Sequence, residues 1–87
     1  MAELAQRFTD AQARIKAVTS LSNDVLLELY ALYKQATVGD VQGKRPEPLD
    51  FKGRAKFDAW TKRKGTGKDA AMAAYVNLVA KLVGKYR

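Results

Sequence analysis

The apolar residues near the amino terminus, Leu4, Phe8, Ala11, Ile15 and Val18, recur at intervals of three and four, which gathers them on one stripe of an amphipathic helix over 3–18. Thr19, Ser20, Ser22 and Asn23 then interrupt the pattern with side chains that cap helices, and Asp24 brings a negative charge to the first turn of the next element. A second helix is predicted over 23–37. Val25, Leu26, Leu27, Leu29, Tyr30, Leu32 and Tyr33 make it apolar around most of its circumference. One packed stripe does not absorb so much, and in a chain this short the surplus must either stay wet or receive a ligand or a partner.

Gly39, Gly43, Pro46 and Pro48 punctuate the following residues and predict a loop over 39–50, a length that is usually functional in a small domain. A third helix fits 51–64, with Phe51, Ala55 and Ala59 on one side and Lys52 and Lys56 one turn apart; Gly65 stops it. Thr66 and Asp69 have the spacing of a capping box for a fourth helix. Along it Met72, Tyr75, Val76, Val79, Leu82, Val83 and Tyr86 repeat at three and four, nearly to the carboxy terminus. No strand-like alternation and no internal repeat is present, so the expected class is all-α, four helices around one core, with residues 1–87 forming a single domain.

Composition narrows the chemistry. Apolar residues make up 47% of the 87 and charged ones 29%, the proportions of a chain that folds into a globule. With no cysteine and no histidine, a disulfide framework, a thiolate zinc site, a cysteine nucleophile and an imidazole base are all excluded. No carboxylate pair, serine elbow or glycine-rich phosphate loop stands in their place, so neither an enzyme nor a bound cofactor or metal is expected. The apolar runs are too short to span a membrane and the amino terminus lacks the profile of a secretion signal, which makes a cytoplasmic protein the expectation.

Charge adds a partner class. Sixteen Lys and Arg against nine Asp and Glu leave +7, distributed as three basic and four acidic groups in 1–33, ten and four in 34–68, and three and one in 69–87. An excess so concentrated calls for an anion: nucleic acid, a membrane surface or a phosphorylated small molecule. Tyr30, Tyr33 and Lys34 stand at i, i+3 and i+4, a patch able to stack a planar ring and hold a phosphate, although half-buried tyrosines beside a solvated lysine have the same spacing. Lys52, Arg54 and Lys56 sit at the start of the third helix, where its dipole also attracts anions, with Arg45 approaching from the loop. Lys62, Arg63 and Lys64 complement the other end of that dipole and need no further role, and Phe57 and Trp60 are expected in the core. A small basic helical nucleic-acid-binding module fits these features as well, without any recognised docking motif.

The residues themselves then resemble a family. The run Tyr30-Ala31-Leu32-Tyr33-Lys34-Gln35-Ala36-Thr37-Val38-Gly39-Asp40 is similar to the signature of the acyl-CoA-binding protein family. Arg45-Pro46, Leu49 through Trp60, Lys64-Gly65-Thr66 and Ala71 through Tyr75 follow in the family's order. The resemblance covers the whole chain and is strongest over about 27–76. It implies an up-down-down-up four-helix bundle with a long loop between helices 2 and 3, and a carrier of medium- and long-chain fatty acyl-CoA thioesters that leaves them chemically unchanged. By position it implies binding residues at Tyr30, Ala31, Leu32, Tyr33, Lys34, Lys52, Lys56 and Tyr75, with Lys16 on the first helix as a weaker match. Tyr30, Lys34 and Lys56 would hold the 3'-phosphate, and Tyr33 and Tyr75 would flank the adenine. The implied partner is the acyl-CoA itself, with no specific nucleic acid; a monomer is the simpler expectation for a carrier whose basic face must admit a large ligand, and the +7 charge, high for the family, adds an expected transient contact with an anionic membrane surface. Leu26, Leu27 and Leu29 are candidates for the groove of the acyl chain. The chain departs from the family pattern at Phe57, usually tryptophan, at Arg54, usually lysine, and at Gly67 and Ala70, usually a serine and an acidic residue, which leaves the start of the fourth helix less well capped.

Overall fold

A computed structural model describes residues 2–85 and the side chains of residues 3–84; Tyr86, expected on the last helix, lies outside the described residues. The chain forms α1 (Ala2–Ile15), α2 (Asn23–Thr37), α3 (Phe51–Thr61) and α4 (Lys68–Lys85), an all-α fold of four helices in up-down-down-up order. Among these described helices none is long and apolar enough to cross a membrane.

Local chemistry explains where each helix starts and stops. α1 ends at Ile15 rather than Val18, because Ala17 N–H turns back to the Arg14 carbonyl at 3.2 Å and Val18 N–H to the Ile15 carbonyl at 3.0 Å, tightening the last turn. Lys16 therefore lies in the turn after α1, not on the helix. α2 matches its predicted bounds and is capped by Ser22, whose hydroxyl accepts from Val25 N–H at 3.3 Å. α3 is capped by Asp50, whose carboxylate accepts from Gly53 N–H at 3.0 Å; a Cβ at residue 53 would collide with that carboxylate, which is why a glycine sits inside this helix. α3 stops at Thr61, short of the expected Lys64. Arg63 N–H bonds to the Trp60 carbonyl and Lys64 N–H to that of Thr61, so the basic run 62–64 forms a turn. α4 opens at Lys68 with Ala71 N–H on the Gly67 carbonyl at 2.9 Å, instead of from a Thr66–Asp69 box.

α4 packs against both α1 and α2, whereas α3 packs on α2 alone. The Cα atoms extend 37 × 30 × 15 Å, about two helices thick, with α4 and α3 on separate sides of α2 and Phe8 of α1 reaching Tyr33 of α2. This corrects the expectation that α2 buries one stripe: it is flanked on two sides, which absorbs much of its apolar circumference. Phe8, Ala11, Leu29, Leu32, Tyr75, Val79 and Leu82 form the core between α1, α2 and α4. Of the two side chains of α3 expected in the core, Trp60 is buried and Phe57 half-buried; Phe51, on the side shared with Ala55 and Ala59, is 75% exposed.

The register of α3 on α2 reveals their direction. Lys56 lies over the Tyr30 ring and Lys34 over the Trp60 ring, so a step of four along α2 matches a step of four in the same sense along α3. The two helices are parallel. α2 is about 22 Å long, and the chain must return that distance before α3 can start. Residues 38–50 supply the return, since thirteen extended residues reach roughly 40 Å.

This crossing loop is pinned at both ends. Val38 and Gly39 N–H groups both reach the Lys34 carbonyl, and Gly39 takes φ +99°, a left-handed conformation that lets the chain leave α2 sharply. Its carbonyl then accepts from Trp60 Nε1 at 2.8 Å. Gln35, fully buried, donates from Nε2 to Asp40 Oδ1 at 2.8 Å and to the Thr66 carbonyl at 2.7 Å, and Asp40 Oδ1 also accepts from Gly65 N–H at 2.8 Å. That backbone donor, with Gln35, holds the Asp40 carboxyl below its ordinary value. Further along, Arg45 makes a two-pronged ion pair with Asp58 at 2.8 and 3.0 Å, and Arg54 Nε donates to the Pro46 carbonyl at 2.9 Å.

Gln35→Met, which keeps the volume and removes both donors, is expected to lower stability by about 1–3 kcal/mol. For a domain of this size that corresponds to a fall in Tm of about 4–8 °C per kcal/mol, read by thermal unfolding followed by circular dichroism. An unchanged Tm would show that this knot does not hold the loop.

Candidate functional site

Two open grooves meet along one side of α2. The first lies where the α1–α2 connection approaches α4 and encloses about 420 Å³; Lys16, Tyr30, Tyr33 and Tyr75 line it over a wall that includes Ile15, Leu21 and Leu26. The second, about 470 Å³, runs between the starts of α2 and α3 and is lined by Leu26, Leu27, Phe51, Lys52, Ala55 and Lys56. Leu26 borders both, and Lys56 of the second reaches over Tyr30 of the first, so the grooves form one continuous cradle. Each is of the size that takes part of a small molecule.

The polar groups converge on the junction. Lys56 Nζ stands 5.4 Å from the centre of the Tyr30 ring and Lys34 Nζ 4.9 Å from that of Trp60, both within cation–π range. The two ammonium groups are held on aromatic faces one helical turn apart, and Lys52 and Lys56 make no ion pair among the described residues. Tyr33 is 39% exposed and stacks at 6.0 Å on Phe8, which meets Tyr75 edge-on at 5.0 Å. Tyr75 is only 5% exposed, and its burial, with a smaller contribution from the Tyr33 phenol, raises it above its ordinary value of 10.0.

The structure thus brings together Lys16, Tyr30, Tyr33, Lys52, Lys56 and Tyr75 from four separate stretches of chain, with Lys34 one turn beyond Tyr30. It does not bring Ala31 and Leu32 to the cradle. Ala31 is 1% exposed and lines a groove on another side of α2, and Leu32 is 3% exposed in the core. Leu29, a candidate for the acyl groove, is 6% exposed and belongs mainly to the core, although its edge reaches the first groove. Arg45 and Arg54, grouped by sequence with the lysines of α3, are spent on the loop and do not line the cradle. The groove beyond Ala31 is larger, about 620 Å³, but Asp24, Glu28 and Asp58 outnumber Lys62 and Arg63 on its walls, and Arg63 is already bonded to Glu28 at 3.3 Å. With Asp58 also paired to Arg45, its walls carry no surplus of positive charge, whereas those of the cradle, with its lysines, do.

Sequence reasoning missed the pairing of Lys34 with Trp60. The signal was present, because Lys56 and Trp60 repeat on α3 the i, i+4 spacing that Tyr30 and Lys34 have on α2. It also missed Phe8, which supports both tyrosines from α1.

Residues 5–79 match the family model described as Acyl CoA binding protein. An acyl-CoA-binding protein homolog of Caenorhabditis elegans is 54% identical over 80 residues, covering 91% of this chain and 93% of that one. A homolog from Drosophila melanogaster is 44% identical over 84 residues, covering 95% and 98%. In structure the chain is similar to acyl-CoA-binding protein 2 of Oryza sativa, with a TM-score of 0.91 at 40% identity over 94% of this chain and 92% of that one. The corresponding protein of Moniliophthora perniciosa gives a TM-score of 0.87 at 34% identity, covering 94% and 82%.

The buried phenol is open to direct measurement. Folding keeps Tyr75 neutral, so the stability it contributes is present below its unfolded value of 10.0 and is lost as pH rises through the higher folded value. Spectrophotometric titration is expected to show one phenol ionising after the others, with that step absent in Tyr75→Phe. Loss of the late step in Tyr33→Phe instead would overturn the assignment.

Proposed function

The chain belongs to the acyl-CoA-binding protein family, and on that premise we propose that the cradle binds one medium- or long-chain fatty acyl-CoA at a time. The protein is a non-catalytic carrier of acyl-CoA; the ligand is cargo, and no cofactor takes part. The observation that carries the residue assignment is the double rung of Tyr30 with Lys56 and Lys34 with Trp60, set directly beside an apolar groove. In this reading Tyr30, Lys34 and Lys56 grip the 3'-phosphate of the CoA, and charge-assisted hydrogen bonds of that kind contribute about 1.5–3 kcal/mol each. Both ammonium groups already rest on rings whose positions are fixed by packing, so little side-chain freedom is lost on binding. Tyr33 offers an open face to the adenine, with Tyr75 as floor rather than as a second free face. Lys16 flanks the polyphosphate side of the first groove.

The acyl chain lies along Leu26, Leu27 and Phe51, with Lys52 at the edge. Each buried CH2 contributes about 0.8 kcal/mol before ordering costs, so chain length sets affinity once the head is held. Residues 1–87 act as one binding domain, monomeric and cytoplasmic. Specific nucleic acid is not among its partners, since arginines it would need, Arg45 and Arg63, are engaged by Asp58 and Glu28. The surplus positive charge of +7 favours transient contact with anionic membrane surfaces.

Calorimetry with palmitoyl-CoA tests the head site. Lys34→Ala and Lys56→Ala are each expected to weaken binding about 10- to 150-fold, and wild type should lose as much against ligand lacking the 3'-phosphate. Undiminished affinity in both variants would refute the phosphate assignment. Titration with acyl chains of about eight to twenty carbons should show affinity climbing with length by up to roughly tenfold per two carbons until the groove is filled. Leu26→Asp, at a half-exposed position, should flatten that climb without unfolding the protein; an unaltered slope would move the acyl groove elsewhere.

A further inference from the structure

Leu49 is 84% exposed and Phe51 75% exposed, the largest values among the large apolar side chains of the described residues, and Leu26 at 49% borders the same end of α2 and α3. Nothing in the fold needs Leu49. Asp50 between them turns inward to cap α3, and the loop behind is fastened to α3 by Arg45 on Asp58 and Arg54 on Pro46. The pair is therefore presented on a stapled support rather than on a loose tip. Lys52 and Lys56, both exposed, stand along the groove that Phe51 borders. Three of the acids of this region are committed, Asp50 to the cap, Asp58 to Arg45 and Asp40 to Gly65 and Gln35; Glu47 is an exposed carboxylate on the same loop as the exposed Lys44. Two apolar side chains beside uncompensated ammonium groups are the features that bind an interface of apolar interior and anionic headgroups.

We propose that this end of the molecule docks on a bilayer containing anionic lipid, with Leu49 and Phe51 entering the headgroup region and Lys52 and Lys56 attracted to its charge. The proposal rests on the carrier reading for its purpose: the docked groove opens toward the membrane, so an acyl chain leaves the bilayer and enters the protein without crossing bulk water. Leu49 is outside the ligand grooves, which allows docking and ligand binding to be separated.

Ligand-free protein is sedimented with phosphatidylcholine vesicles and with vesicles containing about one-third phosphatidylserine. Binding is expected to the anionic vesicles alone and to fall about tenfold in about 0.5 M NaCl. Leu49→Ser should weaken it about tenfold more while leaving palmitoyl-CoA affinity within about twofold of wild type. Equal binding to neutral vesicles, or wild-type docking by Leu49→Ser, would overturn the proposal. So would a loss of palmitoyl-CoA affinity in Leu49→Ser, which would assign Leu49 to the ligand groove, or a Leu49-dependent dimer in sedimentation equilibrium, which would make the patch a self-contact. If wild type fails to bind palmitoyl-CoA yet still docks on anionic vesicles, the carrier reading falls and the docking surface stands.

Discussion

Two helices that follow one another in sequence and lie side by side in parallel must be joined by a connection able to run the length of the first. That constraint shapes most of this molecule. It requires the loop over 38–50, and it sets the register in which Tyr30 meets Lys56 and Lys34 meets Trp60. An antiparallel pair joined by a short turn would reverse the register and place Lys56 and Trp60 against different residues of α2. The entropy of holding so long a connection is offset by directed bonds rather than by burial. Gln35, Asp40 and Gly65 secure its first turn to the end of α3, and Trp60 is bonded to Gly39 by the same indole on which Lys34 rests. The fixation of the loop and the positioning of one cation of the site are thus a single arrangement.

The basic residues divide by chemistry. Arg45, Arg54 and Arg63 are tied to a carboxylate, a backbone carbonyl and a carboxylate, tasks that suit a planar fork with directed donors. Lys34, Lys52 and Lys56 carry compact ammonium groups on flexible stems and remain along the cradle, two of them parked on rings. Arg54 illustrates the division: a lysine there would preserve the charge but not the sideways Nε donor that reaches Pro46. Net charge alone did not make this distinction. What counts for an anionic ligand is the charge left after the fold has used its share.

This explains what was legible in the sequence and what was not. The helices were readable because Phe8, Ala11, Tyr75 and Val79 follow the helical period, and α2 was placed to the residue because Ser22 is an unambiguous cap. Ends set by backbone geometry were less readable: α1 and α3 both tighten into turns three residues before their patterns run out, with no glycine or proline at the last helical residue. Tyr30, Tyr33 and Lys34 were found as a local patch, but Ala31 and Leu32 came with them because a contiguous motif does not reveal which of its side chains face inward. The packing of α2 between α4 and α3 is a tertiary fact, and without it the apolar surplus of that helix was left to solvent, a ligand or a partner.

The same packing settles how an apolar surface stays exposed on this scaffold. A helix with neighbours on two sides and a cradle on a third has little face left to hide, so Leu26 stays half open, and α3, with one neighbour, cannot cover Phe51. Burying these side chains would require a further helix across the groove, and that helix would occupy the path of the ligand. Exposure at this end is therefore the consequence of keeping the groove open, and the lysines along its edge place like charges beside one another on that surface. In the proposed docking the repulsion between them is relieved, since an anionic bilayer would satisfy both the apolar side chains and the ammonium groups. An open groove, a wet apolar rim and a surplus of lysine are in this sense one solution to carrying an amphiphile whose head is charged and whose tail is not.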